Sequence, residues 1–198
     1  MVWRMEWAAR ADHLGGIPRN LVIKGVGVIS KLMTTLLNTT TVHNSETLLH
    51  LVRSRPPGTP LITVSNHMST LDDPLMWGFK GFPTGDAKLA RWVLAAEDIC
   101  FKNSIYSYFF RLGKCIPITR GGGIYQDHMN EAIERLRDGE WMRQHKDGST
   151  PTFQKESGLP WKVYVVYLQH FQLLSLASGK AYRETVRLLI MLFVVGDN

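Results

Sequence analysis

His67 and Asp72 stand five residues apart in Val64-Ser-Asn-His-Met-Ser-Thr-Leu-Asp72, just past the end of a short β-branched run, Pro60-Leu-Ile-Thr-Val-Ser65. A neutral imidazole can take a proton from an attacking hydroxyl. A carboxylate beside it fixes the tautomer and stabilises the imidazolium that forms. On one regular helix this spacing would set the two side chains about 140° apart. The pair therefore works only if His67 lies in the turn before a helix and Asp72 within the first turns of that helix. Asn66, Ser69 and Pro74 are residue types that favour such a junction. Spacing alone more often marks a chance or structural pair, so context has to decide.

The elements that must hold the pair alternate between strands and helices, which argues for an α/β domain. Ser45 to Arg53 reads as a helix closed by Pro56-Pro57-Gly58, and Pro60 to Ser65 as a buried strand. Leu75 to Phe79 is helix-compatible, and Ala90 to Ala96 suits a strand or a helix. Ser104 to Leu112 reads as a helix stopped by Gly113, and Cys115 to Thr119 as a second strand. Arg120 and the triplet Gly121-Gly122-Gly123 follow it. Tyr125 to Arg137 is an amphipathic helix with Met129, Ala132, Ile133 and Leu136 on one face. From Met142 to Gly158 the chain turns polar and reads as a linker. Beyond it, Lys162 to Leu168 and Val186 to Val195 are apolar and β-prone.

Composition narrows the partners. The 198 residues suit one domain, and 44% hydrophobic with 20% charged residues excludes a disordered or fibrous chain. Mean hydropathy of -0.09 argues against a polytopic membrane protein. A formal charge of +6 favours an anionic partner, nucleic acid or anionic lipid. No nucleic-acid module or basic-aromatic interleaving supports the first of these. The two cysteines, Cys100 and Cys115, form no Cys-x-x-Cys pair and read as plain thiols. His43, His50, His128, His145 and His170 lack ligand spacing, so no metal is expected.

Residues 1–19 fit neither a secretory signal nor a mitochondrial presequence, because Glu6 and Asp12 interrupt them. Leu21 to Leu37 is the longest mostly apolar run. Lys24 and Lys31 share one helical face in it, opposite Val22, Val26, Ile29, Met33 and Leu36. A helix lying in a membrane interface satisfies both faces; packing against the protein's own core is the alternative.

Asn-His-x-Ser-x-x-Asp-Asp after a Pro-Leu-Ile-Thr-Val strand resembles the first block of the glycerophospholipid acyltransferases. Thr41-Val-His-Asn44, Asp72-Asp73-Pro74, Arg91-Trp92, Asp98-Ile-Cys-Phe101, Leu112-Gly-Lys-Cys115, Arg120-Gly121 and Gly123-Ile-Tyr-Gln126 narrow the likeness to the tafazzins, plant forms especially. It runs from about Glu6 to about Trp141. The resemblance implies an α/β fold of glycerol-phosphate-acyltransferase type, a sheet with flanking helices, incomplete at the C-terminus. It divides the chain into a membrane-associating segment at 1–40, an acyltransferase domain at 41–141 and a divergent tail at 142–198. It implies His67 as general base and Asp72 as its orienter, with Arg120 on the acceptor's phosphate, where a guanidinium fork holds oxygens bidentately. Gly121 would let backbone approach the same headgroup, and Gly113, Asn66 and Ser69 would border the substrate. Phospholipid and lysophospholipid are the implied substrates and a mitochondrial membrane surface the implied place, in cardiolipin remodelling. No cofactor is implied, since the acyl donor is itself a lipid. A coenzyme A-dependent acyltransferase and a non-catalytic membrane-associated fragment are the rivals.

The likeness breaks after Gly139-Glu140-Trp141. There the family carries Phe-Pro-Glu-Gly, which helps bind the acceptor, and this chain reads Pro151-Thr-Phe-Gln-Lys-Glu-Ser157 instead. With one choice of codons for Asp147 to Ser157, a shifted frame reads Trp-Ile-His-Thr-Tyr-Ile-Ser-Glu-Gly-Lys, so an altered reading frame is one origin of the difference. Positioning can supply much of a rate enhancement, so weak or absent turnover is expected.

Overall fold

Four parallel strands form the centre of the computed structural model, which describes residues 5–37, 40–66, 72–123, 125–146, 161–177 and 180–195. After a turn at Glu6–Ala9 and another at His13–Gly16 come α1 (Ile17–Leu32), β1 (Thr41–Val42), α2 (Ser45–Ser54), β2 (Leu61–Asn66) and α3 (Asp72–Leu75). Then follow β3 (Trp92–Ala96), α4 (Glu97–Cys100), α5 (Ser104–Leu112), β4 (Cys115–Ile118), α6 (Asp127–Arg137), β5 (Trp141–Lys146), β6 (Trp161–Ala177) and β7 (Lys180–Val195). Strand order is β1-β6-β7-β2-β5-β3-β4. β2, β5, β3 and β4 run parallel, and β7 pairs antiparallel with β2. The α/β expectation holds, and both β-prone runs of the tail are strands.

Alternation along β5 explains the two cores, since successive side chains of a strand point to opposite faces. Trp141 packs with Trp77, Phe79 and Phe82 and with Leu48, Leu51 and Val52 of α2. Its indole N–H donates to Thr63 Oγ1 at 3.2 Å. Met142 faces the other way, with Trp92, Leu94, Ile116 and Ile118 beneath Met129 and Ala132 of α6.

Three expectations need correction. Residues 142–146 are no linker: they belong to β5, paired with both β2 and β3. Their polar sequence hid this, because a strand hydrogen-bonded on both sides is held by backbone pairing as well as by side-chain burial. The helix expected at 75–79 is instead a single turn ending at Leu75, after which Met76, Trp77 and Phe79 enter the core through turns. On α6, His128 is buried while Ile133 is 38% exposed, so the helix is rotated from the expected face. Ala90 to Ala96, left open between strand and helix, contributes β3.

α1 packs on an unexpected stripe. Its buried residues are Arg19, Ile23, Gly27 and Ser30, continued by Thr34. A Cβ on Gly27 would come within 2.7 Å of the Thr84 carbonyl oxygen, so glycine permits this approach of helix to loop. Of the expected apolar face, Val22, Val26 and Met33 are half-buried, while Ile29 and Leu36 are 61% and 72% exposed. Ile17, Leu21, Val28 and Leu32 are exposed with them. Among the described residues no helix is long and apolar enough to cross a membrane.

Candidate active site

Parallel strands bring three strand ends to one edge of the sheet, where sites in open α/β sheets lie. β2 ends at Asn66, β3 at Ala96 and β4 at Ile118. Asp72 is the first residue of α3, the placement its proposed role requires, and Arg120 stands two residues beyond β4. β2 and β4 are three strand spacings apart in the sheet order, which is about 14 Å. His67 and Ser69 lie outside the described residues.

A cavity of about 480 Å³ borders Ala96, Ile118 and Arg120 and reaches Asp73, the residue after Asp72. Its wall runs from Asp73, Pro74 and Trp77 past Arg91, Gly113 and Cys115 to Arg120, and Val22, Ile23 and Val26 of α1 close one side. Ile99, Phe109 and Phe110 supply much of the remaining apolar lining. The cavity therefore places the start of α3 and the residue proposed to hold phosphate on one continuous surface.

Asp73 is tied at this edge by several partners. Arg91 donates from Nε and Nη2 to its two carboxylate oxygens at 3.2 and 2.7 Å, and from Nη2 to its carbonyl at 3.0 Å. Arg143, fully buried on β5, makes a second ion pair with the same carboxylate and donates to Ser65 Oγ at 2.7 Å. The indole of Trp77 donates to Asp73 at 3.4 Å. The guanidinium carbons of Arg91 and Arg143 lie 4.8 and 5.6 Å from the Trp77 ring centre. Burial pulls the Arg91 guanidinium down to about 9, which leaves it cationic at neutral pH.

Arg120 is paired with Asp98, both side chains about half exposed. Beside them Thr119 Oγ1 donates to Glu97 at 2.7 Å. Gly121 and Gly123 take left-handed φ values of 75° and 71°. The Gln126 amide braces their turn, donating to the Gly123 carbonyl at 2.6 Å and accepting from the Thr119 N–H at 2.8 Å. Gly113 caps the end of α5 with an ordinary negative φ, so its role is to end the helix at the cavity wall.

Both thiols border the cavity without being nucleophiles. Burial pushes Cys115 up to about 12 and Cys100 up to about 11. A protonated thiol attacks poorly.

Sequence reasoning assigned no role to Asp73, Arg91, Trp77 or Arg143. Asp73 and Arg91 stood inside quoted motifs without a stated chemistry, and Arg143 lay in the supposed linker. A carboxylate next to Asp72 and an arginine at the head of an apolar strand were the available signals.

Residues 39–163 match the family model described as Acyltransferase. This chain belongs to the acyltransferase family. Within the family it is 68% identical over 145 residues to an N-acylphosphatidylethanolamine synthase of Arabidopsis thaliana, covering 73% of this chain and 51% of the relative. A tafazzin of Drosophila melanogaster is 43% identical over 145 residues, covering 72% and 38%. A taffazin of Dictyostelium discoideum is 43% identical over 126 residues, covering 62% and 44%. The chain spans about half or less of the length of these curated relatives. No solved structure matches. The acyltransferase match includes β1 to β5, and so the cavity edge formed by β2, β3 and β4.

Proposed function

We propose that this chain is built as a phospholipid–lysophospholipid acyltransferase that needs no coenzyme A, acting in cardiolipin remodelling at a mitochondrial membrane surface. The observation that carries the reading is the apolar cavity whose wall links Asp73 and Pro74, beside Asp72, to Arg120. His67 takes the proton of the acceptor's hydroxyl as its oxygen attacks the donor's ester carbonyl, and Asp72 holds the imidazole in the right tautomer. Collapse of the tetrahedral intermediate breaks the bond to the donor's glycerol oxygen. That oxygen takes the proton back from His67, leaving a new ester and a lysolipid.

Arg120 receives the acceptor's phosphate in exchange for Asp98, which an exposed ion pair permits at little cost. Gly121 admits the headgroup, and Asn66, Ser69 and Gly113 border it. The exposed apolar face of α1, with Lys24 and Lys31 at its side, rests on the membrane interface. Turnover is low, because the family's Phe-Pro-Glu-Gly block is replaced in this chain.

A second reading is favoured by the name of the Arabidopsis relative: the nucleophile is the amine of a phosphatidylethanolamine, and the product an amide. Labelled phosphatidylcholine offered with a lysophospholipid or with phosphatidylethanolamine separates the two. The assay is run on this chain and on one with the block restored after Trp141. Label in the re-esterified lysophospholipid, far stronger in the restored chain, is expected. An N-acyl product would favour the second reading. Transfer from labelled acyl-CoA alone would overturn the transacylase reading, and equal turnover by the two chains would overturn the role given to the missing block.

A further inference from the structure

β3 and β4 are neighbours in parallel register, with Ala96 opposite Ile118. The register carries on past both strand ends. Glu97 meets Thr119, whose hydroxyl donates to its carboxylate at 2.7 Å, and Asp98 meets Arg120 in an ion pair. Strand pairing therefore sets one guanidinium and two carboxylates side by side. The turn that carries Arg120 is braced as well, since the Gln126 amide accepts from the Thr119 N–H at 2.8 Å and donates to its carbonyl at 3.0 Å. Among the described residues the cavity wall includes Ala96, Ile99 and Arg120 but neither Glu97 nor Asp98. Asp98 is about half exposed. A path outward from the apolar interior meets a cation first and carboxylates next.

A phospholipid with its chains in the cavity presents its groups in a fixed order: glycerol, phosphate, then headgroup. Once Arg120 turns to the phosphate, Asp98 loses its cation and faces the headgroup. We propose that Asp98, with Glu97 beside it, is a specificity-determining residue that favours a zwitterionic phospholipid, whose phosphate goes to Arg120 and whose cationic nitrogen goes to Asp98. This rests on reading Arg120 as the partner of the phosphate. The exposed ion pair is worth little, so exchanging it is cheap. With a zwitterion the exchange leaves both protein charges paired. With an anionic lipid whose headgroup carries no nitrogen, the carboxylate is left unpaired beside a phosphate, and like charges at that range repel. Such a lipid still binds, less tightly.

The test uses two lipids with the same chains, dihexanoyl phosphatidylcholine and dihexanoyl phosphatidylglycerol. Each is titrated as a monomer into the full chain by calorimetry at physiological ionic strength, where charges beyond about 8 Å are largely screened. The parent chain is expected to bind the zwitterion more tightly. In Asp98→Asn the ratio of the two dissociation constants is expected to move about threefold or more toward the anionic lipid. Asp138→Asn makes the same change in net charge at an exposed carboxylate past the far end of α6, and is expected to leave the ratio where it was. Arg120→Gln is expected to weaken both lipids. A parent that prefers the glycerol headgroup, an Asp98→Asn chain whose affinities for the two lipids change alike, or an Asp138→Asn chain that shifts the ratio as far, overturns the selectivity role alone. If Arg120→Gln leaves both affinities unchanged, or the parent binds neither lipid, the phosphate reading itself fails.

Discussion

At the scale of single residues, two thiols on the cavity wall look reactive by type and are held protonated by their surroundings. Cys115 and Cys100 face the cavity, yet burial holds both thiols above the ordinary value of 9.0. Iodoacetamide at pH 8 is expected to label the folded chain slowly, Cys115 slower than Cys100, and both quickly in urea; equal rates in the two states would show that burial does not protect them. The same shift has a consequence for stability. The folded state holds these protons after the unfolded state has begun to release them. Their contribution is therefore complete below about pH 9 and declines as pH rises toward the folded values. Lys114 works in the opposite sense, since burial lowers its ammonium. The thiol's share is isolated by comparing urea melts with those of Cys115→Ala between pH 8 and 11. The variant is expected to lose less stability on alkalinisation than the parent, and parallel curves would count against the burial of this thiol.

At the scale of elements, close backbone approach decides how α1 sits. Gly27→Val would place a side chain against the Thr84 carbonyl, which cannot swing aside. A loss of about 1–3 kcal/mol is expected, seen as a Tm lower by about 2–10 °C; an unchanged Tm would mean that α1 does not pack on that loop. α1 also shows what the sequence could and could not disclose. Its apolar periodicity was plain, but periodicity names the greasy side and not the side that packs. Here small and polar residues, Gly27, Ser30 and Thr34, meet the protein because they let backbones come together. Strands with apolar runs, β2 and β4, and helices with sharp stops, such as α5 before Gly113, were legible from local chemistry. β5 was not, because Arg143, Gln144, His145 and Lys146 are polar, and pairing with strands distant in sequence makes it a strand. The site divides the same way. A helix start at Asp72 is the condition that the spacing sets for a working pair, whereas the grip of Arg91 and Arg143 on Asp73 depends on tertiary contacts between residues 18 and more apart.

At the scale of the whole molecule, the helices that wall the cavity also carry the exposed apolar residues: Leu21, Ile29 and Leu36 on and just beyond α1, and Ile105 and Phe109 on α5. Such a surface, flanked by Lys24, Lys31 and Lys102 in a chain of charge +6, suits an anionic lipid interface. The double substitution Ile29→Asp and Leu36→Asp is expected to weaken cosedimentation with vesicles containing anionic phospholipid about tenfold or more, with Tm unchanged. Binding as tight as that of the parent would remove α1 from the membrane contact. Lipid delivered to this face would meet the cavity that runs to the edge of the sheet. What happens there is tested most directly by acyl transfer from labelled phosphatidylcholine to a lysophospholipid, measured on the chain with the Phe-Pro-Glu-Gly block restored and on the same chain bearing His67→Ala. A loss of about 10²- to 10⁴-fold is expected, the contribution of a positioned general base, with vesicle binding retained; transfer by the His67→Ala chain at the parent rate would contradict it.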